Sequence, residues 1–141
     1  MYTAFFGLTE KPFKLVPNPA YLFLSRSHEE ALAHLSFALA EGDGFLLITG
    51  EVGTGKTTLC RAFLERLEPS VEAALIFIPR LDAVQLLKAI NDEFEIDASA
   101  DTVKGLVDVF NDFLLRMWAA GRKVVVLIDE AQTLTREVLE Q

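Results

Sequence analysis

Apolar residues follow two rhythms along this chain. Phe45-Leu46-Leu47-Ile48-Thr49, Ala73–Ile78 and Val124–Ile128 are short, nearly unbroken apolar runs. They lack the alternation of a one-sided sheet and predict strands buried on both faces. Between them the apolar positions recur every three or four residues, the helical period. Ala31, Leu32, Leu35 and Leu39 follow Ser27, and Ser27-His28-Glu29-Glu30 has capping-box spacing, so a helix is predicted to open there and to stop at Gly42 and Gly44. Further helices are predicted over about Lys56–Leu67, on Ala83, Leu87, Ile90 and Phe94, and on Val103, Leu106, Val107, Phe110, Phe113, Leu114, Met117 and Trp118, ended by Gly121. Another begins at Thr135. Buried strands alternating with amphipathic helices predict an α/β fold with a parallel sheet covered on both faces. Residues 1–25 break the rhythm, because Pro12, Pro17 and Pro19 block a continuous helix. Phe5, Phe6, Leu8, Phe13, Tyr21, Leu22 and Phe23 predict that this arm packs along the body of the domain.

The densest chemistry follows the first apolar run. Gly50-Glu51-Val52-Gly53-Thr54-Gly55-Lys56-Thr57 satisfies G-x-x-x-x-G-K-[ST] between a predicted strand and a predicted helix. A phosphate chain requires a ring of converging backbone N–H groups, and Gly50, Gly53 and Gly55 permit the close approach and unusual dihedrals of such a nest. The helix that follows turns its positive end to the same place. Lys56 is then placed along the β- and γ-phosphates, and the Thr57 hydroxyl to ligate Mg²⁺. The second constellation is Asp129-Glu130 at the carboxyl end of the third apolar run, where parallel α/β sheets bind ligands. Asp129 is placed to hold the Mg²⁺ shell and Glu130 to activate water; the plainer alternative is that both acids cap the next helix.

Other residues carry plainer readings. His28 reads as a surface or packing histidine, Cys60 as a small buried hydrophobe, and Arg122-Lys123 as a solvated turn. Phe110, Phe113 and Trp118 read as core. Arg61, Arg66 and Arg80 are candidate phosphate or inter-subunit contacts that spacing alone does not select.

Composition narrows the setting. The 141 residues are 51% hydrophobic and 24% charged, an ordinary globular balance at the size of one domain. Lys and Arg total 13 against 21 Asp and Glu, a net charge of −8, which argues against a general grip on nucleic acid or anionic lipid. One cysteine excludes an internal disulfide and fits a reducing compartment. No segment has the pattern of a signal peptide or the ~18 apolar residues of a membrane helix, so a cytoplasmic setting is expected.

With both motifs in hand, the chain resembles the AAA+ branch of P-loop ATPases, in which a Glu follows the metal-binding Asp. More narrowly it is similar to the ATPase region of the ExeA/GspA family of general secretion (type II) pathway proteins. Three stretches carry this: Phe5-Phe6-Gly7-Leu8 with Lys11-Pro12-Phe13; Pro17 to Ser25 running into His28-Glu29-Glu30-Ala31-Leu32-Ala33-His34-Leu35; and Thr49 to Arg61. Relatives of the same group serve PEP-CTERM/exosortase loci and pilus assembly. The resemblance implies a three-layer α/β/α P-loop fold of AAA+ type, truncated after the Walker B strand, with an N-terminal arm over 1–26 and the first portion of the ATPase domain over 27–141. It implies ATP and Mg²⁺ as cofactors, with Gly50, Glu51, Val52, Gly53, Thr54, Gly55, Lys56, Thr57 and Thr58 at the nucleotide, Thr57 and Asp129 at the metal, and Lys56 and Glu130 in catalysis. Thr58 would reach the α-phosphate, and residues 22–25 with the start of the first long helix would line the adenine.

The family's known role implies an ATPase at the cytoplasmic face of the bacterial inner membrane, with membrane and peptidoglycan-binding segments elsewhere and a GspB/ExeB-like partner. Its topology places a sensor strand between the strands at 45–49 and 124–128. Without that strand the sheet is expected to be open at its middle, hydrolysis by this piece weak, and self-association through free strand edges favoured. Two alternatives share the motifs. One is a DNA-handling AAA+ helper of transposition or replication type, against which the acidic charge counts; the other is a nucleotide-binding switch with little turnover.

Overall fold

The computed structural model describes residues 2–10, 23–42, 44–77 and 80–140. The proline-rich part of the arm, at 11–22, lies outside them. Helix α1 (Tyr2–Phe5) is a single turn, and Phe5 and Phe6 stack edge to face in solvent rather than against the body. The long elements then follow in order: α2 (Arg26–Glu41), α3 (Lys56–Leu64), β1 (Val71–Phe77), α4 (Ala83–Glu93), α5 (Val103–Ala119), β2 (Lys123–Asp129) and α6 (Arg136–Leu139).

The two strands pair in parallel, with Val71 beside Lys123 and Phe77 beside Asp129. Side chains alternate across a strand, and here the alternation separates two cores. Leu75, Val125 and Leu127 join Leu32 and Leu35 of α2 and Leu59 and Phe63 of α3. Ile76, Val126 and Ile128 join Leu86 and Ile90 of α4, Phe110 of α5 and Val138 of α6. Helices therefore pack on both faces of the sheet, as the apolar runs predict. Phe94, Phe110 and Phe113 pack ring against ring with centroids 5.0–6.2 Å apart, at the junction of α4 and α5.

Several expectations are corrected. Residues 45–49 do not form a buried strand: Phe45 and Leu47 are exposed, no ladder is formed, and only Ile48 packs on the first core. A strand exists only as part of a ladder, and β2 pairs with β1 alone among the described residues. Helix α2 starts two residues earlier than predicted, capped by Ser25 with His28 as its reciprocal partner. Trp118 is 80% exposed rather than core. Arg122 and Lys123 are not merely solvated. Arg122 pairs with Glu72 at 2.7 Å and donates to the Pro69 carbonyl. Lys123 Nζ donates to the carbonyls of Leu39 and Ala40, each at 2.8 Å, satisfying the last turn of α2. No helix among the described residues is long and apolar enough to cross a membrane.

Candidate functional site

The loop over 50–55 owes its shape to glycine. Gly53 and Gly55 sit at φ 83° and 89°, the left-handed region that a Cβ disfavours. Gly50 is constrained by space instead, since a Cβ there would lie 3.0 Å from Thr54 Oγ1. Thr54 folds back on the loop, its hydroxyl donating to the Glu51 carbonyl at 2.8 Å. Lys56 Nζ donates to the carbonyls of Gly50 and Glu51, both at 2.7 Å. The ammonium is thus held over the loop by its own backbone. Val52 stands fully exposed at the outer side.

Helix α3 starts directly from Gly55, which offers no side-chain cap, and its first turn has no acidic residue. Its leading N–H groups and positive dipole end therefore face the loop without an internal anion. Thr57 stands in that first turn and Thr58, half-buried, follows it.

The second half of the site arrives from β2. Asp129 is 8% exposed at the strand's carboxyl end. Its Oδ2 accepts from Thr57 Oγ1 at 2.5 Å, and its Oδ1 accepts from the Glu130 backbone N–H at 2.9 Å. The structure therefore brings together two of the residues predicted at the metal. Thr57 and Asp129 form a hydroxyl–carboxylate pair, the hard oxygen set that suits Mg²⁺ with phosphates and water completing its shell.

Glu130 is placed differently. Its backbone is left-handed, at φ 56° and ψ 33°, a conformation that costs a non-glycine residue about 1–2 kcal/mol. Thr133 Oγ1 donates to its carbonyl at 2.8 Å, and Gln132 Nε2 donates to its carboxylate. The side chain is exposed and turned toward the short helical turn Ala131–Thr133. Arg80 lines a cleft of about 550 Å³ with Asp82, Thr133, Thr135 and Glu137, beyond the strand ends.

The structure adds a residue that the sequence reading left among packing histidines. His28 Nε2 lies 2.8 Å from the Thr54 carbonyl oxygen, and its Nδ1 lies 2.8 Å from Ser25 Oγ. The Ser-x-x-His spacing was the available signal, obscured by the overlapping Ser-x-x-Glu of residues 27–30. Cys60 is half-buried in α3, and burial together with the nearby Asp129 carboxylate pushes its thiol up from the ordinary 9.0.

For this loop–helix geometry, with the acid from the end of β2, comparison with known proteins gives the family. Residues 39–141 match the AAA domain family. The chain belongs to that family. This AAA domain is 53% identical, over its whole length, to the general secretion pathway protein A of Aeromonas hydrophila, of which the match covers 26%. It is also 30% identical over 94 residues to CD-NTase-associated protein 6 of Pseudomonas aeruginosa, covering 67% of this chain and 28% of that protein. The chain thus spans about a quarter of the length of the curated relatives it matches. No solved structure matches it.

Proposed function

We propose that this AAA domain binds Mg²⁺ and ATP and hydrolyses the nucleotide to drive assembly or placement of a type II secretion secretin or a related envelope structure. The observation that carries the chemistry is the Thr57–Asp129 hydrogen bond, which joins the phosphate loop to the acidic strand end. The identity to a general secretion pathway protein A supports the cellular role. The full domain would be a three-layer AAA+ sandwich, with self-association supplying neighbouring subunits and a GspB/ExeB-like membrane protein as partner.

In this reading the N–H groups of Gly53, Thr54 and Gly55 and the start of α3 hold the phosphates, with Gly50, Glu51 and Val52 forming the loop that carries them. Lys56 exchanges its two carbonyl partners for phosphate oxygens, and Thr58 approaches the α-phosphate. Thr57 and Asp129 would hold Mg²⁺, which neutralises phosphate charge when bound. Glu130 orients and deprotonates water once its carboxylate turns from Gln132 toward the nucleotide. Calorimetry with Mg·ATP, alongside phosphate release, tests the assignment. Binding is expected in the wild type and lost in Lys56→Ala. Glu130→Gln is expected to keep binding and to lower the weak turnover of the wild type further, by up to about 10²–10⁴-fold. Equal binding by Lys56→Ala and wild type would sink the reading.

A further inference from the structure

His28 joins the start of α2 to the phosphate loop, and its hydrogen bonds define its protonation pattern. A carbonyl oxygen only accepts, so Nε2 must carry the hydrogen that faces Thr54, 2.8 Å away. Nδ1 faces both the Ser25 hydroxyl at 2.8 Å and the Ser25 backbone N–H at 3.4 Å. That N–H can only donate, so Nδ1 is the accepting nitrogen. These partners assign the donor to Nε2 and the acceptor to Nδ1, with the ring oriented by Ser25 and donating to Thr54.

The bond acts on one peptide unit of the loop. In a planar trans peptide the C=O and the following N–H point in opposite directions. Holding the Thr54 carbonyl toward α2 therefore directs the Gly55 N–H away from α2. Gly55, at φ 89°, gives this unit little steric resistance to turning over, because glycine adopts positive and negative φ with similar ease. The Thr54 side chain does not fix its own carbonyl, since its hydroxyl is committed to the Glu51 carbonyl. The direction of one phosphate-facing donor thus depends on a histidine 26 residues earlier in the chain.

We infer that His28 is a positioning residue for the phosphate loop, holding the Thr54–Gly55 peptide in the orientation that presents the Gly55 N–H to a nucleotide's phosphate chain, with Ser25 fixing the ring. The inference rests on the phosphate-site reading above. It predicts an effect confined to phosphate recognition. His28 also completes the cap of α2, so two substitutions separate the roles. His28→Leu removes both functions. His28→Gln keeps a capping acceptor and offers an amide N–H to Thr54.

The test measures affinities of the intact protein for Mg·ATP, Mg·ADP and adenosine by calorimetry, with the thermal unfolding midpoint of each variant. His28→Leu is expected to weaken Mg·ATP and Mg·ADP about tenfold while adenosine affinity changes less than twofold. His28→Gln is expected to recover most of the phosphate-dependent loss. Mg·ATP affinity of His28→Leu within twofold of wild type would overturn the inference. So would an equal loss for adenosine, or a loss that follows the unfolding midpoint without recovery in His28→Gln. Failure of wild type itself to bind Mg·ATP would instead remove the phosphate-site reading, and this inference with it.

Discussion

Thr57 and Asp129 stand 72 positions apart in the chain and are joined by a 2.5 Å hydrogen bond. The hydroxyl comes from the first turn of α3 and the carboxylate from the last residue of β2, so the contact ties the loop to the sheet. Asp129 is buried, and losing a hydrogen bond to a buried charge costs about 1.5–3 kcal/mol. Thr57→Val, which keeps the shape and removes the hydroxyl, should lower the free energy of urea unfolding by about that amount without nucleotide. Thr57→Ser should restore most of it.

Gly50→Ala tests whether the loop tolerates a methyl group. The new Cβ would meet Thr54 Oγ1 at 3.0 Å, and that hydroxyl is already held by the Glu51 carbonyl. The loop must shift by a few tenths of an ångström at its narrowest point. Affinity for Mg·ADP should fall about tenfold, equivalent to about 1.4 kcal/mol, with the unfolding midpoint little changed.

The thiol of Cys60 gives a pH signature. Its folded pKa is raised above 9.0, first by burial and then by the Asp129 carboxylate. The unfolded chain therefore ionises this thiol before the folded chain does. The associated stability is fully present below pH 9 and declines as pH rises from 9.0 through the folded value. At pH 8 the folded protein should react with iodoacetamide well below the rate of the urea-unfolded chain. Asp129→Asn should accelerate alkylation, because it removes the charge that opposes the thiolate.

Much of this geometry was legible in the residue pattern, and its failures share a cause. The strands at 71–77 and 123–129 and the helices α4 and α5 follow from local periodicity, which an element's own burial enforces. The run Phe45–Thr49 has the same local signature, yet it forms no ladder, because pairing is a property of neighbours that the run does not contain. Trp118 closes the helical run, but it lies five positions after Phe113, about 140° round α5, and so faces solvent while Phe113 is buried. The loop and its acidic strand end were readable because glycine spacing and strand-end acids report required backbone shapes. His28 was not, because an imidazole capping one helix and bonding a distant carbonyl has no fixed spacing from the loop it holds.

Asn91 is 1% exposed between α4 and α5, where its amide donates to the Leu106 carbonyl at 3.2 Å and its own Oδ1 has no partner among the described residues. Asn91→Asp would replace that donor with a buried charge facing a carbonyl. A loss of about 3–5 kcal/mol is expected at neutral pH. Burial would raise the pKa of the introduced carboxyl, so part of this loss should return on acidification, when the protonated acid can donate again. Urea unfolding at pH 7 and pH 5, each referenced to wild type, measures the difference.

The lysine clasp at the far end of α2 has a mechanical consequence. Lys123, the first residue of β2, grips the carbonyls of Leu39 and Ala40, while His28 grips Thr54 at the other end. The helix between has 16 residues, about 24 Å of stiff rod. It is a strut, bolted to the base of the sheet and bearing on the phosphate loop. A push along its axis at the base would bear on the His28–Thr54 hydrogen bond at the other end, which couples the base of the sheet mechanically to the glycine-rich loop.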